Sequence, residues 1–423
     1  MRNATFVIGL LLLATNTAWA QFTESDLPDN TGFVQERLDR IDAVINAEIA
    51  SGNIPGAVAL VARDGQLAYF KSFGFGDIET QTPMQKDSIF RIASMTKAIT
   101  SVGVMILYER GLFQLNDPVS KYIPEYADMR VVSEVDANGD VSATVPATAK
   151  IKIIDLLTHS SGISYPFYST TLQTSYVDAG IIDGMTSKDI TLAGQMKLLA
   201  AQPLLFEPGS EYSYGLSVDL LGYLIEVVSG KPLDQFFSEE IFTRLGMQDS
   251  YFYLPKTKFD RLVTLYAEVG EEGLIVSRGD ESNIILDNPH YPAGDGQTYF
   301  SGGAGLSSTA YDYARFLQML LNNGELNGSR ILSRKSVELM QSARIDSDGD
   351  QIPDFGLGFE VIGDLGKSGE LGSIGSYSWG GAFLTDYWID PSENLIAVFM
   401  SQVRPSESDI RVRFNTMVYQ ALE

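Results

Sequence analysis

Strand-like segments occur near both ends of the chain, and helical segments fill the middle. A helical pattern at 34–49 is followed by strand-like segments at 57–62 and 67–75 on either side of Asp64-Gly65, a pair typical of hairpin turns. Strand-like segments return near the other end, at 357–362, 379–390 and 395–402. The sequence therefore predicts an α/β protein of the α+β type, with an antiparallel sheet built from both chain ends and flanked by helices, and with a mostly helical region inserted.

The predicted sheet region covers about 36–100 and 300–420, and the helical region covers about 100–300. The helical region contains an amphipathic segment at 218–228, and another helix is predicted at 311–322. No internal repeat and no Pro-rich or Ser-rich linker divides the sequence. We therefore expect the parts to form one domain, residues 36–420.

Charge and composition exclude several classes of function. The 423 residues include 54 acidic and 30 basic side chains, a formal net charge of -24, which argues against nucleic acid as a partner. Because the chain has no cysteine, disulfides, thiolate nucleophiles and Cys-based metal sites are excluded. With only two histidines, His159 and His290, a histidine metal cluster is not expected either, and we predict no cofactor.

The first twenty residues differ from the rest in composition. Arg2 gives a basic start, 6–13 is apolar, and Ala18-Trp19-Ala20 is a small-x-small end. This pattern predicts a cleavable signal peptide at residues 1–20, and hence a periplasmic or secreted protein. No later apolar segment is long enough to predict a membrane span.

Ser94 and Lys97 lie one turn apart at the start of a predicted helix that ends at Gly111. A serine hydroxyl becomes a good nucleophile only when a neighbour takes its proton, and the free N–H groups of a helix start can stabilise an oxyanion. Lysine can take that proton only where its surroundings lower its pKa. Ser-x-x-Lys therefore indicates acyl transfer, although a capping serine followed by a solvated lysine produces the same pattern.

A third group is needed to pass the proton to the leaving group. His159 lies in a Thr-His-Ser-Ser-Gly turn, where holding the backbone in place is the more natural role. A tyrosine is the alternative, and both Tyr212 and Tyr214 follow a Pro-Gly turn ahead of a predicted helix. The residues alone leave both tyrosines open.

Four segments together resemble one known family: Phe90–Lys97, Leu156–Gly162, Phe206–Tyr214 and Gly305–Phe316. In this order, they are similar to the serine β-lactamase-related family of class C type, which includes family VIII carboxylesterases, D-aminopeptidases and transesterases. The resemblance runs from about residue 36 to 420. It implies Ser94 as the nucleophile, Lys97 as its activator, and Tyr212 as the first residue of the family's Tyr-x-Asn motif.

Two departures from the family pattern bear on the substrate. Tyr214 stands where the motif has Asn, which removes an amide that can hold an amide-bearing substrate. The family's Lys-Thr-Gly or His-x-Gly motif appears here as Trp379-Gly380-Gly381. By the same match, the oxyanion hole would consist of the N–H groups of Ser94 and Ala382, and the glycines would allow close approach of the backbone.

Two other segments look like ligand-binding motifs. Gly366-Lys367-Ser368 lacks the preceding glycine of a phosphate-binding loop, because Val361 occupies that position. An aspartate-rich segment also lacks the EF-hand glycine and glutamate, so an acidic surface turn is favoured over a calcium site. Its carboxylates are those of Asp346, Asp348, Asp350 and Asp354.

We therefore predict a serine hydrolase that forms an acyl-enzyme on Ser94, with a preference for short-chain esters. A β-lactam or D-peptide substrate carries a carboxylate, and Trp379 removes the lysine that would bind it. β-Lactamase, D-amino acid peptidase and transesterase activities remain alternatives, as does a catalytically inactive relative that binds cell-wall peptides. The partner is expected to be a small-molecule ester, β-lactam or peptide, and the sequence leaves the oligomeric state open.

Overall fold

A computed structural model describes residues 31–186, 188–277, 291–293 and 298–423. The predicted signal peptide at residues 1–20 lies outside these ranges, as does His290. Among the described residues, no helix is both long and apolar enough to cross a membrane.

The main sheet has seven strands, and every neighbouring pair is antiparallel. Its order is β12-β13-β14-β15-β1-β2-β3, so strands from the two ends of the chain meet at β15 and β1. The strands of this sheet are β1 (Gly56–Arg63), β2 (Gln66–Asp77), β3 (Thr82–Pro83), β12 (Glu360–Val361), β13 (Tyr377–Gly381), β14 (Thr385–Asp390) and β15 (Leu395–Met400). Short two-stranded ladders are formed by β4 (Phe90–Arg91) with β9 (Ser307–Ser308), β5 (Arg130–Val135) with β6 (Val141–Pro146), β7 (Tyr266–Val269) with β8 (Gly273–Val276), and β10 (Glu325–Leu326) with β11 (Ser329–Arg330).

The α-helices cover both faces of the sheet and fill the middle of the chain. In chain order they are α1 (Gln35–Leu38), α2 (Arg40–Ala50), α3 (Thr96–Glu109), α4 (Ile153–Leu157), α5 (Thr170–Asp178), α6 (Leu192–Ala200), α7 (Ser217–Ser229), α8 (Leu233–Phe237), α9 (Thr243–Leu245), α10 (Ala310–Leu321), α11 (Arg334–Met340), α12 (Leu365–Ser368) and α13 (Ile410–Tyr419).

Strand β1 is buried on both faces because helices cover each side of the sheet. Val58 and Leu60 face the large core that includes α3 and α10, whereas Ala59 and Val61 face a second core with α2 and α13. This explains why the segment is a continuous apolar run rather than an alternating one. The predicted sheet from both chain ends, flanked by helices, is confirmed.

The prediction of one strand over 379–390 is wrong. The chain turns back within this segment, so that β13 ends at Gly381 and β14 begins at Thr385. Leu384 has a φ of +65°, a conformation that non-glycine residues rarely adopt and that apolar periodicity does not reveal. The segment predicted at 357–362 is also shortened, to the two residues of β12.

Helix α3 runs through the centre of the molecule and carries the Ser94–Lys97 segment at its start. Its residues from Thr96 to Leu107 are all buried, so the helix is packed on every side. Gly103 makes this possible, since a Cβ there would lie 3.0–3.3 Å from Ile225, Phe236 and Phe237 on α7 and α8. Ser94, the predicted nucleophile, therefore lies at the start of a helix fixed by packing all around it.

Candidate active site

A tight turn places Ser94 at the entrance to α3. Strand β4 pairs with β9, and the Ile92 N–H donates to the Leu306 carbonyl at 3.0 Å, which fixes the approach to the turn. Ala93 has a φ of +42°, a strained value for a residue with a side chain. The following 3₁₀ turn, Ala93–Met95, leads directly into α3 and leaves Ser94 partly exposed in a pocket.

Lys97 lies beneath Ser94 and is almost completely buried, with 2% of its surface exposed. Its Nζ donates to Ser94 Oγ at 3.3 Å, to the Tyr165 hydroxyl at 3.1 Å and to the Gly303 carbonyl at 2.8 Å. It also lies over the rings of Tyr214 and Tyr165, at 4.5 and 5.4 Å from their centroids. No described carboxylate lies within 4.0 Å, so lone pairs and ring faces satisfy the amine.

The tyrosine that contacts Ser94 is Tyr214. Its hydroxyl donates to Ser94 Oγ at 2.6 Å, and the Trp379 Nε1–H donates to the same hydroxyl at 3.4 Å. Gly215 permits this position, because a Cβ there would lie 2.4 Å from the Ser164 Cα. Tyr214, which the family match had placed at the Asn position of the motif, is thus the residue within reach of the serine proton.

The assignment of Tyr212 as the proton relay is therefore revised. The Tyr212 ring packs behind the site, 5.4 Å from the Phe355 ring and 5.9 Å from the His159 ring, and burial raises the pKa of its hydroxyl. Tyrosines at 212 and 214 share the same turn, so spacing alone could not separate them. If Tyr214 is taken as the first residue of the Tyr-x-Asn motif, the third residue is Leu216, which is fully buried. The Asn amide of the motif is therefore missing in this alignment as well.

His159 holds backbone in place, as its turn suggested. It is fully buried, its Nδ1 accepts the Gly215 N–H at 3.3 Å, and its carbonyl accepts the Ser213 N–H at 2.8 Å. Burial and the nearby Lys97 charge hold the pKa of the imidazole well below its usual value. The neutral ring thus pins the 213–215 segment that presents Tyr214.

The glycines after Trp379 bring strand β13 close to the turn that carries Ser94. A Cβ at Gly381 would lie 2.5 Å from the Ile92 carbonyl oxygen and 2.1 Å from Thr385 Oγ1. Ala382 follows directly and lines the same pocket as Ser94, which is the placement that the predicted oxyanion hole requires. The Trp379 ring lies 5.5 Å from that of Tyr214 and 5.3 Å from that of Phe355, so it forms an aromatic wall of the site.

One pocket of about 710 Å³ contains the predicted substrate-binding residues Trp379, Gly380, Gly381 and Tyr214 together with Ser94. Its described lining carries more carboxyl groups than guanidinium groups. Burial raises the pKa of the Asp386 carboxyl to about 7, and the charge of Arg411 opposes this shift. The acidic lining residues are Asp183, Glu360, Glu370 and Asp386, and the basic ones are Arg404 and Arg411.

Sequence reasoning missed three groups in the neighbourhood of Lys97, namely Tyr165, Gly303 and Asp219. Tyr165 shares a hydrogen bond with the amine and stacks on Phe167 at 4.7 Å, and burial and the Asp219 charge raise the pKa of its hydroxyl well above the usual value. The Asp219 carboxylate is fully buried and accepts from Ser301 Oγ at 2.5 Å and from the Gly303 N–H at 3.3 Å. Of these groups, only Tyr165 could have been predicted from the sequence, because it lies just after the Leu156–Gly162 segment.

The aspartate-rich segment forms an acidic turn, residues 346–354. Carboxylate oxygens of Asp346, Asp348 and Asp354 all lie within 4.8 Å of one another. The Lys367 ammonium lies 2.9 Å from Asp348 and 2.8 Å from Asp350. A lysine thus supplies positive charge to this turn. An acidic surface turn stays the favoured prediction, with a calcium site as the alternative.

Comparisons with known proteins identify the family. A family model described as Beta-lactamase matches residues 41–420. The chain belongs to the beta-lactamase family. The predicted family resemblance is confirmed, and with it the serine hydrolase fold.

Similar proteins include one named as an esterase and one described as a hydrolase. Esterase EstB of Burkholderia gladioli is 30% identical over 377 residues, which cover 86% of this chain and 89% of EstB. The solved structure of EstCE1, a hydrolase with promiscuous acyltransferase activity, superposes with a TM-score of 0.78 at 29% identity, covering 92% of this chain and 98% of that one. Protein Rv1367c of Mycobacterium tuberculosis is 34% identical over 385 residues, 88% of this chain and 91% of that protein. This beta-lactamase family member is therefore an enzyme of the serine hydrolase type.

Proposed function

We propose that the protein is a carboxylesterase that forms an acyl-enzyme on Ser94 and prefers short-chain esters. The observation that carries this proposal is the position of Ser94 Oγ, which lies within hydrogen-bond distance of both Tyr214 and Lys97. A hydroxyl held between two proton carriers can lose its proton as it attacks a carbonyl. This arrangement also argues against the inactive peptide-binding relative.

The proposed reaction has two balanced halves. Ser94 Oγ attacks the ester carbonyl while its proton passes to the Lys97–Tyr214 pair, which accepts it when the pair holds one proton fewer than ammonium plus phenol, as a Tyr214 phenolate beside the Lys97 ammonium. The N–H groups of Ser94 and Ala382 would bind the oxyanion. The pair returns the proton to the leaving alkoxide as the C–O bond breaks, which leaves the acyl group on Ser94. Water then attacks the acyl carbonyl with the same proton transfers, giving the carboxylic acid and free Ser94. The Lys97 ammonium and the Trp379 indole N–H both face the Tyr214 side chain, so they would stabilise negative charge that develops there.

An ester substrate suits this pocket better than a β-lactam or D-peptide. Trp379 lies where the family motif has lysine, and its indole contacts Tyr214 instead of offering a cation to a carboxylate. The described lining holds four carboxyl groups and two guanidinium groups, so it offers no excess of positive charge to an anionic substrate. The names of EstB and EstCE1 support an ester-cleaving activity as well.

Acyl transfer to an alcohol is a second candidate. The acyl-enzyme reacts with whichever hydroxyl compound reaches it, and the 710 Å³ pocket has room for more than a short acyl group. Similarity to EstCE1, a hydrolase with promiscuous acyltransferase activity, supports this candidate. Formation of butyl acetate from vinyl acetate and butanol would establish transfer, and release of acetic acid alone would limit the protein to hydrolysis.

Nucleophile identity is tested with p-nitrophenyl acetate and a fluorophosphonate probe. Wild-type protein should release a burst of p-nitrophenol and bind the probe stoichiometrically, whereas Ser94→Ala should lose both. Ser210→Ala is the matched control, because Ser210 is exposed and, among the described residues, its hydroxyl bonds only the Glu207 carbonyl. Retention of burst and labelling in Ser94→Ala would show the proposal to be wrong.

Substrate preference is tested by the ratio of kcat/KM for p-nitrophenyl butyrate to that for nitrocefin. We expect a ratio well above one in the wild type and a shift toward nitrocefin in Trp379→Lys, which restores a charge-assisted hydrogen bond worth about 1.5–3 kcal/mol. A ratio well below one would favour β-lactamase activity.

We also propose that residues 1–20 are removed during export. Sequencing of the N-terminus after expression in a Gram-negative host should give Gln21 as the first residue of periplasmic protein. Recovery of cytoplasmic protein that still begins at Met1 or Arg2 would contradict it.

A further inference from the structure

The two ligand-like segments that the function does not use lie against each other. Lys367, the central residue of the rejected phosphate-loop motif, points its ammonium into the acidic turn. It lies 2.9 Å from Asp348, 2.8 Å from Asp350 and 3.8 Å from Asp354. Three carboxylates so close together repel one another unless a cation joins them, and Lys367 is that cation.

The acidic turn is firmly attached to the body of the protein. Asp354 Oδ1 accepts the Ser347 N–H at 2.8 Å inside the turn, and the Asp354 carbonyl accepts the Val361 N–H at 2.7 Å from strand β12. The next residue, Phe355, is buried and contacts Trp379 and Tyr212 of the active-site wall. This turn can therefore serve as a fixed anchor.

Lys367 belongs to a segment that is less firmly held. We call residues 364–376 the strap; it leaves β12, includes α12 and returns to β13. Among the described residues, the hydrogen bonds of its first half, 364–370, stay within the strap, and in that half Lys367 alone reaches an outside partner. The second half is attached by backbone bonds of Gly375 and Ser376 to Ile362, both of 2.8 Å. Leu371 and Ile374 are 47% and 64% exposed, so burial of these apolar side chains does not hold it.

The strap forms one side of the substrate pocket. Ser368 and Glu370 line the same cavity as Ser94 and Trp379. Ser368 follows Lys367 directly, so the ion pairs of Lys367 fix the neighbouring pocket wall. A long substrate that reaches this wall benefits from its order, while a short ester does not reach it.

We propose that Lys367 is a specificity-determining residue whose ion pairs with the acidic turn latch the strap as a wall of the substrate pocket. This inference rests on the proposed esterase function. Lys367 touches neither Ser94 nor the proton carriers, so it acts through the strap, and the rate for a short ester is independent of it. The Lys367 side chain is 32% exposed, so salt weakens the latch, since the Debye length falls to about 3 Å at 1 M.

Hydrogen exchange tests the latch without any substrate. In Lys367→Met, the backbone amides of 364–372 should exchange at least about tenfold faster than in the wild type, because a local opening no longer has to break the ion pairs. Lys367→Arg should restore slow exchange, since it keeps the positive charge. Lys335→Met is the matched control, because Lys335 pairs with Glu338 on the outside of α11. Unchanged exchange in Lys367→Met would overturn the latch.

Steady-state kinetics test the role in specificity. Lys367→Met should raise KM at least about threefold for p-nitrophenyl octanoate or for octyl acetate, the scale expected when an exposed ion-pair network is lost. Its kcat for p-nitrophenyl acetate should stay unchanged, and Lys367→Arg should restore the KM. Equal losses for short and long esters, or the same change in Lys335→Met, would overturn the role in specificity. A wild type that cleaves no ester would instead refute the proposed function, while the exchange result would still decide the latch.

Discussion

Replacing each of two neighbouring tyrosines by phenylalanine separates the residue that relays protons from the one that only packs. Tyr214→Phe removes the hydroxyl that lies 2.6 Å from Ser94 Oγ and keeps the aromatic ring that contacts the Lys97 ammonium. General acid–base groups contribute about 10²–10⁴-fold to rate, so kcat/KM for p-nitrophenyl butyrate should fall by that factor. Expressed as a barrier, the loss is about 2.7–5.5 kcal/mol.

Tyr212→Phe is the matched control. Its ring remains against Phe355 and His159, so kcat/KM should change by less than about threefold, within the range of a peripheral substitution. Both variants should bind the fluorophosphonate probe, with Tyr214→Phe labelled much more slowly, and both should melt close to the wild-type temperature. A large loss in Tyr212→Phe with full activity in Tyr214→Phe would refute the assignment of Tyr214.

Three further outcomes are expected. Gly381→Ala should lower kcat at least about tenfold, because the new Cβ would lie 2.5 Å from the Ile92 carbonyl and must displace β13 or the turn that carries Ser94. Gly76→Ala is the control: the nearest atom to its new Cβ is 3.9 Å away, so its kcat in the same ester assay should be nearly unchanged. The pKa of His159 is depressed in the folded protein, so unfolded chains bind an extra proton as the pH falls below about 6.5, and stability should decline there by up to about 1.4 kcal/mol per pH unit. Urea unfolding near neutral and near mildly acidic pH should show a shallower decline for His159→Asn, and equal declines would refute the assignment. Because Lys367 already supplies positive charge to the acidic turn, the melting temperature should be equal with millimolar calcium and with chelator; a calcium-dependent rise that Asp348→Ala abolishes would contradict this and establish a metal site.

The sequence predicted the architecture well because periodicity and turn residues report on burial. The Asp64-Gly65 hairpin and the helix after Ser94 lie where these patterns placed them. It failed at 379–390, where the chain turns at Leu384 without a glycine or proline at the turn itself. Apolar residues continue across this turn because Phe383 and Leu384 of the turn are themselves buried, so the pattern does not show where β13 ends.

The site was predicted only in part, because local patterns do not report contacts between segments that are distant in sequence. Ser94 and Lys97 are three residues apart in one turn, so their spacing determines their proximity. Tyr165 and Gly303 reach Lys97, and Asp219 holds Gly303, through tertiary packing that no local pattern encodes. The choice between Tyr212 and Tyr214 depended on which one faces the pocket, and this is decided by contacts of 213–215 with His159 and Ser164.

The pairing of β15 with β1 has a consequence for how this protein folds. Residues as far apart in sequence as Val58 and Met400 are neighbours in the middle of the sheet, so the sheet has very high contact order. Closing so long a loop carries an entropic cost that is recovered only when the last strands arrive, and such chains fold slowly. Until β15 is synthesised, β1 is an apolar edge strand with no partner on one side. A chain that exposes such an edge is prone to aggregation. Loss of the chain from Leu395 onward would therefore remove a central strand and leave the Ser94 half of the molecule unable to complete its core.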